Sequence, residues 1–399
     1  MTSAGASPSA ANTSAAEYWN SLLRPGVELT PAYGDEFSAR LRAARLTFGD
    51  RVHCPFLRPF FLDEDDEHRV RVIAELIAAL GERVILAALE SPPLLAQLGL
   101  RPEEERLVRI PVLSTRASTA SRLDAFLLPD SLKFAEYNAE SPAGPGYAET
   151  LAGVFDALPV MERFRERYDA QGYGLSRRLL DALLSSYTDW GGTSAPPQIA
   201  IVDCRGVPTW SEFEILQARF EAMGVPTLVC EPRDLVFDGK ALAAFGKKIG
   251  LVYRRVLIND ILARPGECDA LVRAYTANAV CVANTFRCKI PHVKAFFAVL
   301  TDERNARLFS AEERALIARH VPWTRMLADT HTTHDGEEIE LLEFTRRRRE
   351  NLVLKPNDEY GGAGVMLGWE ADEQQWDAAI ERALSGQQGR WVVQERIPV

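Results

Sequence analysis

Asp124, Glu136 and Asn138 carry oxygen donors, and Arg122 a guanidinium, within one stretch, Ser121 to Ser141 (SRLDAFLLPDSLKFAEYNAES). Leu123–Leu128 and Leu132–Tyr137 are apolar enough for strands, and Pro129-Asp130-Ser131 between them is a turn signal. Folded symmetrically about Asp130, this hairpin sets Asp124 opposite Glu136 and Arg122 opposite Asn138. Residues two apart on a strand share a face, so the four side chains converge on one patch. Opposed residues of an antiparallel pair have Cβ atoms about 4.5–5.5 Å apart, and two carboxylates that close repel unless a cation lies between them. Such oxygen donors suit a hard ion, Mg2+ or Mn2+, which takes one or two carboxylates and leaves positions for phosphate oxygens. A solvated hairpin face held by cross-strand pairs is the other reading of the same residues.

A second group lies near the far end. Asn351–Lys355 (NLVLK) reads as a buried strand, Pro356–Gly364 (PNDEYGGAG) as a polar glycine loop, and Val365–Trp369 as a returning strand. Glycines in a tight reversal let backbone N–H groups approach an anion, and Lys355 adds a charge at the base. A Walker A loop needs G-K-[ST] opening a helix. Strands on both sides make this either a flap over phosphates or a plain glycine hairpin. Arg390–Val399 (RWVVQERIPV) is the last strand. Gln394 and Glu395 at its exit could offer backbone groups to adenine and a carboxylate to ribose.

The elements that position these residues follow from the rest of the chain. At 399 residues it exceeds one ordinary core, so two or three subdomains are expected. Hydrophobic content of 47% and charged content of 26% are ordinary for a soluble globular protein. A net charge of −10, with no basic tract beyond Arg346–Arg349, argues against nucleic acid as the main partner. The arginine run itself reads as a solvated helix face. Six cysteines without a CxxC pair read as free buried thiols in a reducing compartment. No apolar run reaches 18 residues, so no membrane span is expected. Residues 1–16 read as a disordered tail rather than a signal peptide, and a cytoplasmic location is expected.

Residues 17–45 look helical, interrupted at Arg24-Pro25-Gly26. The acidic group Asp63–Glu67 opens a helix carrying Val70, Ile73, Leu76, Ile77 and Leu80 on one face, with Gly81 as its punctuation. A second apolar helix covers about Leu86–Leu98, either continuous or broken at Pro92-Pro93. Helices are expected over Tyr147–Tyr168 and Ser176–Tyr187, and Gly191–Pro197 is a linker. Ile199–Val202, Ser211–Met223, Val225–Cys230 and Gly250–Arg255 then alternate strand, helix, strand, strand, the signature of a small parallel sheet. Ligands of such sheets gather at carboxyl ends of strands, which brings Asp203, Glu231 and Arg254–Arg255 toward a pocket mouth. The adjacent arginines either grip a carboxylate or form surface ion pairs. Cys204-Arg205-Gly206 lacks the dinucleotide fingerprint, which disfavours NAD. More helix is expected over Leu271–Asn284 and from Pro291 to Arg319. His331 and His334, beside Asp335 and Glu337, read as a polar surface turn at Asp335-Gly336 in preference to a metal site.

Lys355 with GGAG, followed by WVVQERI, resembles the lid and hinge of the ATP-grasp fold. Asp124…Glu136-x-Asn138, preceded by Arg122 and embedded in FAEYNAESP, resembles its metal-ligand set, and VYRRV fits the same pattern. The metal hairpin precedes the lid by more than 200 residues. That order resembles the circularly permuted ATP-grasp group, including glutathionylspermidine synthase. The resemblance implies an α+β chain: a circularly permuted ATP-grasp fold with a small βαβ, pre-ATP-grasp-like substrate domain. Its parts would be 17–190 (N-terminal helices plus the metal-binding half), 198–290 (the βαβ domain) and 291–399 (lid and hinge). It implies an ATP-dependent ligase joining a small-molecule carboxylate to an amine through an acyl phosphate. Asp124, Glu136 and Asn138 would hold Mg2+, and Arg122 would steady the oxyanion. Lys355, Gly361, Gly362 and Gly364 would hold phosphates, and Gln394 and Glu395 would meet adenosine. Ser141 matches a substrate-loop position, while Lys294 and Arg325 are candidates for a second phosphate-binding group. The family's pattern continues beyond the hinge strand, whereas this sequence stops at Val399. Two rival expectations are an ATP-grasp kinase and an ATP-binding scaffold with reduced turnover.

Overall fold

The computed structural model describes residues 10–128, 131–359, 361–386 and 389–398. Pro129-Asp130 of the expected turn, Tyr360 of the glycine loop, Val399 and residues 1–9 lie outside the described residues. Ala10–Leu22 is helical, so the stretch expected as a disordered tail is ordered from Ala10. The reason is burial: Ala15 and Trp19 pack with Phe37, Phe155 and Phe164 in one core.

The helix Glu64–Glu90 runs unbroken through Gly81, where an end was expected. That glycine supplies room instead of a stop. A Cβ there would stand 3.3 Å from Tyr137 Cε1 and 3.5 Å from Pro291 Cβ. The long helix can therefore seat against Tyr137, the residue between Glu136 and Asn138. Pro92 starts a separate helix, Pro92–Leu98, because proline opens helices but breaks their interiors. Pro159 likewise divides the helix expected over 147–168 into Pro145–Asp156 and Pro159–Arg165.

The parallel sheet orders its strands Cys281–Ala283, Leu251–Arg254, Ile199–Val202, Thr227–Cys230. Three of the four were expected. The fourth corrects the helix expected over 271–284: Pro265–Thr276 is helical, Asn278 turns the chain at φ 49°, and the fully buried Cys-Val-Ala segment pairs as a strand. A second sheet is antiparallel, in the order Thr324–Met326, Trp391–Glu395, Leu352–Pro356, Met366–Leu367. The helix Glu373–Leu384 covers it with Trp376 and Ile380. The acidic hairpin, Arg122–Leu128 with Ser131–Asn138, turns its apolar back onto a core that also contains Leu80, Phe296 and Val392. Val392 belongs to the last strand, so hairpin and antiparallel sheet share that core. Among the described residues no helix is long and apolar enough to cross a membrane.

Candidate functional site

The hairpin does not keep one register. Leu128 pairs with Ser131 and Ala125 with Phe134, whereas Asp124 pairs with Glu136 and Arg122 with Asn138. Ala135 is thus bulged out of its strand. A bulge inserts one residue and re-aims those after it. Leu132 and Phe134 face the core before the bulge, and Tyr137 does so after it. Glu136 and Asn138 are thereby released to the opposite face; with Ala135 as a regular strand residue they would follow Phe134 inward. The Asp124–Glu136 and Arg122–Asn138 pairs of the symmetrical reading are present, reached through the register change at Ala135.

Arg122 Nε donates to Asp124 Oδ1 at 2.8 Å, and its Nη1 to the Ala143 carbonyl at 2.9 Å. Asn138 is 7% exposed, and its Nδ2 has no hydrogen-bond partner among the described residues. Two carboxylates paired across the hairpin and the Asn138 amide oxygen fit the donor chemistry of Mg2+, whereas the Asn138 Nδ2 can only donate a hydrogen bond. Among the described residues no group of three or more His, Cys, Asp or Glu is placed to hold a metal alone. An ion at this face would therefore complete its shell with substrate oxygens and water.

The antiparallel sheet brings the lysine to this face. Lys355 Nζ donates to the bulged Ala135 carbonyl at 3.2 Å and to Gln394 Oε1 at 2.7 Å. Burial, helped by the charge of Lys294 and opposed by Glu136, brings the Lys355 ammonium down to about 8. Lys294 Nζ lies 3.4 Å from Glu136 Oε1 and donates also to the Glu359 carbonyl. Asn357 pins the base of the glycine loop. Its carbonyl accepts from Lys294 N at 2.9 Å, its Oδ1 from Ala295 N at 2.8 Å, and its Nδ2 donates to the Leu98 carbonyl at 2.9 Å. Gly361, Gly362 and Gly364 all take left-handed backbone. Gly364 also passes close to the strand, where a Cβ would meet Pro356 Cγ at 2.8 Å.

At the strand exit the two expected adenosine contacts part company. Gln394 is buried, donating to Thr324 Oγ1 at 3.0 Å while it holds Lys355, so its side chain positions the lysine. Glu395 lines a cavity of about 390 Å3 with Lys133, Thr301, Trp323 and Asp335. Its Oε1 accepts from His334 Nε2 at 2.8 Å. The Asp335-Gly336 turn is where the sequence placed it, between strands His331–His334 and Glu337–Glu340. On a strand, residues three apart face opposite ways, which separates exposed His331 from His334 and removes a shared metal. The surface-turn reading nevertheless missed His334, which packs against Trp323 and Phe344.

The other candidates lie in the interior. Arg254 is fully buried, paired with Glu140 at 3.1 Å and donating to the Asn284 and Val256 carbonyls. Arg255 is 4% exposed, bonds Tyr253 Oη and the Pro142 carbonyl, and lies 3.8 Å from Glu212. Neither stands at a pocket mouth or on the surface, which corrects both readings of the pair. Arg325 is also buried, held by Glu303, Thr332 and Thr301 and stacked over Trp323. Of the two candidates for a second phosphate group, Lys294 stands beside Glu136 and Arg325 is occupied elsewhere. Ser141 is half-buried in the loop after the hairpin. Asp203 follows the strand Ile199–Val202; burial pushes its carboxyl up to about 6.

Sequence reasoning missed Glu140, two residues beyond Asn138. Burial would raise its carboxyl, but Lys289 at 3.3 Å and Arg254 at 3.1 Å hold it at about 2. Lys289 reaches on to Asp358 of the glycine loop at 2.7 Å, and Asn259 Nδ2 donates to Asp358 at 2.9 Å. A carboxylate–lysine–carboxylate chain, buried at Glu140 and Lys289 and half-buried at Asp358, thus joins the end of the hairpin to the base of the loop.

No protein-family model matches the chain. A Frankia alni protein named "Putative glutamate--cysteine ligase 2-3" is 29% identical over 184 residues, covering 44% of this chain and 20% of its own length. The chain therefore spans about a fifth of that relative. Among solved structures, a glutathione synthetase-like effector of Globodera pallida, in its apo form, superposes with a TM-score of 0.61. That match covers 94% of this chain and 83% of the effector at 10% identity, a likeness of fold alone. The structural likeness supports a mixed α+β architecture, consistent with an ATP-grasp-like fold.

Proposed function

We propose that this chain is an ATP-dependent carboxylate–amine ligase of the circularly permuted ATP-grasp type, glutathionylspermidine synthase-like, working through an acyl phosphate. One observation carries the reading: the acidic hairpin and the lysine strand lie against each other, with Lys355 on the Ala135 carbonyl and Lys294 on Glu136. The hairpin precedes the glycine loop in the chain, which supports the permuted order. The relatives' names, a glutamate–cysteine ligase and a glutathione synthetase-like effector, support amide-forming chemistry.

Phosphoryl transfer depends on positioning and charge neutralisation more than on covalent help from the protein. Asp124, Glu136 and Asn138 would hold Mg2+, which when bound neutralises phosphate oxygens. Lys355 and Lys294 hold the phosphates, and the Gly361, Gly362 and Gly364 backbone closes over them. The substrate carboxylate attacks the γ-phosphorus and ADP leaves, giving an acyl phosphate. The amine then attacks the acyl carbon, phosphate departs, and the amine loses a proton. Arg122, freed from Asp124, steadies the oxygen that becomes negative. A closed loop excludes water that would otherwise hydrolyse the acyl phosphate. Ser141 borders the substrate end of this path.

The test is ADP release with ATP and Mg2+ across a panel of amines and carboxylates. A ligase needs both partners. Turnover without any amine would indicate a kinase, and nucleotide binding without turnover a scaffold.

A further inference from the structure

We propose that His334 is a positioning residue that sets Glu395 to receive a ribose diol, so that this histidine decides how well the cleft separates ATP from 2′-deoxyATP. The inference rests on the ATP reading of the cleft and goes beyond it in assigning a role to a side chain outside the expected motifs.

Register comes first. Asp335 at φ 53° and Gly336 at φ 80° form a two-residue turn of the kind that matches strand twist. That turn makes His334, opposite Glu337, the last paired residue of its strand. His334 then shares a face with Thr332, whose hydroxyl accepts from the buried Arg325 at 2.7 Å. The Thr333 carbonyl receives Trp323 Nε1 at 2.9 Å and Arg325 Nη2 at 3.0 Å. The short hairpin is thus tied to Trp323 and Arg325 through the two residues that precede the histidine.

The imidazole itself is held. Its side chain is 12% exposed, with Trp323 edge-on at 5.1 Å and Phe344 at 4.7 Å between ring centroids. From that seat Nε2 reaches Glu395 Oε1 at 2.8 Å, while the Glu395 side chain remains 39% exposed. A glutamate at a strand exit has several rotamers, and a fixed donor on one oxygen selects one of them. The second oxygen is left for a donor from the cavity. A nucleoside triphosphate carries two groups that can donate to a carboxylate, the vicinal ribose hydroxyls and the adenine amino group; the diol is the group assigned to Glu395, and inosine triphosphate, which lacks the amino group, tells the two apart.

The experiment is isothermal titration of ATP, 2′-deoxyATP and inosine triphosphate, each with Mg2+, into the wild-type chain and His334→Ala, His334→Gln and Glu395→Gln. A hydrogen bond to a charged group is worth about 1.5–3 kcal/mol, so the wild type should prefer ATP over 2′-deoxyATP by about 10- to 100-fold. Glu395→Gln and His334→Ala should each bring that preference to within about threefold, mainly by weakening ATP. His334→Gln, whose amide can donate near the Nε2 position, should restore most of it. A preference that disappears in Glu395→Gln but persists in His334→Ala would overturn the inference and leave the cleft reading intact. So would a wild type that binds ATP and 2′-deoxyATP equally, or one that discriminates only against inosine triphosphate. No ATP binding by the wild type would overturn the cleft reading and this inference with it.

Discussion

Lys355 has a test of its own. Its ammonium is held near 8 by burial and by Lys294, so it carries its charge below that pH and loses it above. A phosphate beside it would favour the charged form. Mg-ATP affinity should therefore fall as pH rises through about 8, and binding on the alkaline side should take up a proton, seen as a buffer-dependent enthalpy. The stability sign is separate. With a folded value below the unfolded 10.5, the folded chain binds fewer protons between about 8 and 10.5, so this group makes stability rise with pH across that window. Asp124→Asn and Glu136→Gln should each cut Mg2+-dependent turnover by about 100-fold or more while leaving the melting temperature near that of the wild type. His331→Ala, on the exposed side of its hairpin, should leave nucleotide binding unchanged. At this scale the sequence was readable where chemistry is local. The Asp124–Glu136 pairing follows from strand period and a turn. Arg254 was misplaced because its counter-ion, Glu140, lies 114 residues away, and no local pattern shows that a strand-end arginine is neutralised inside.

Elements decide whether these side chains can meet. The bulge at Ala135 turns Glu136 and Asn138 out of the core, and Gly81 lets the helix Glu64–Glu90 lie against Tyr137 between them. Gly81→Leu forces a side chain into that contact. It should lower stability by about 1–3 kcal/mol in urea unfolding, the usual cost of overpacking. It should also weaken Mg2+-dependent nucleotide binding, because Tyr137 cannot move without Glu136 and Asn138. Long elements with a clear period, such as the helix after Asp63 and the strands at 199, 227 and 251, were legible. Cys281–Ala283 was not: three buried residues carry no period, and the preceding helix pattern ran into them. The three-stranded meander Leu235–Phe237, Leu242–Ala244 and Lys247–Ile249 escaped because strands of three residues are too short to show a period. Gly81 was misread because a glycine in a helix marks either a stop or a close approach, and only the neighbour distinguishes them.

At the scale of the molecule, hairpin, parallel sheet and glycine loop converge on one group of charges: buried Glu140 from the first, buried Arg254 from the second, half-buried Asp358 from the third, with buried Lys289 among them. Removing one partner of a buried pair leaves a charge uncompensated, and Lys289→Met should cost about 3–5 kcal/mol of unfolding free energy. Acid should attack the same place. His292, buried 3.8 Å from Glu140, is brought down to about 4 from 6.5, so its contribution is lost as pH falls from about 6.5 to 4. Glu140, held at about 2 against 4.5, contributes fully above 4.5, and that is lost as pH falls toward 2. Stability should therefore decline in two overlapping steps, read by chemical unfolding at successive pH values. None of this convergence was legible from periodicity. The meeting of Lys355 with Ala135, 220 residues apart, was anticipated only through a family resemblance, because pairing across such distances leaves no trace in local pattern.

The central claim is that the hairpin carboxylates and the strand lysine grip one Mg2+-nucleotide between them. Isothermal titration of ATP with and without Mg2+ into the wild-type chain, Glu136→Gln and Lys355→Met tests it directly. The expected result is Mg2+-dependent binding of one nucleotide per chain, weakened by about 10- to 100-fold in each variant. Binding that is equally tight without Mg2+, or unchanged in both variants, would contradict it.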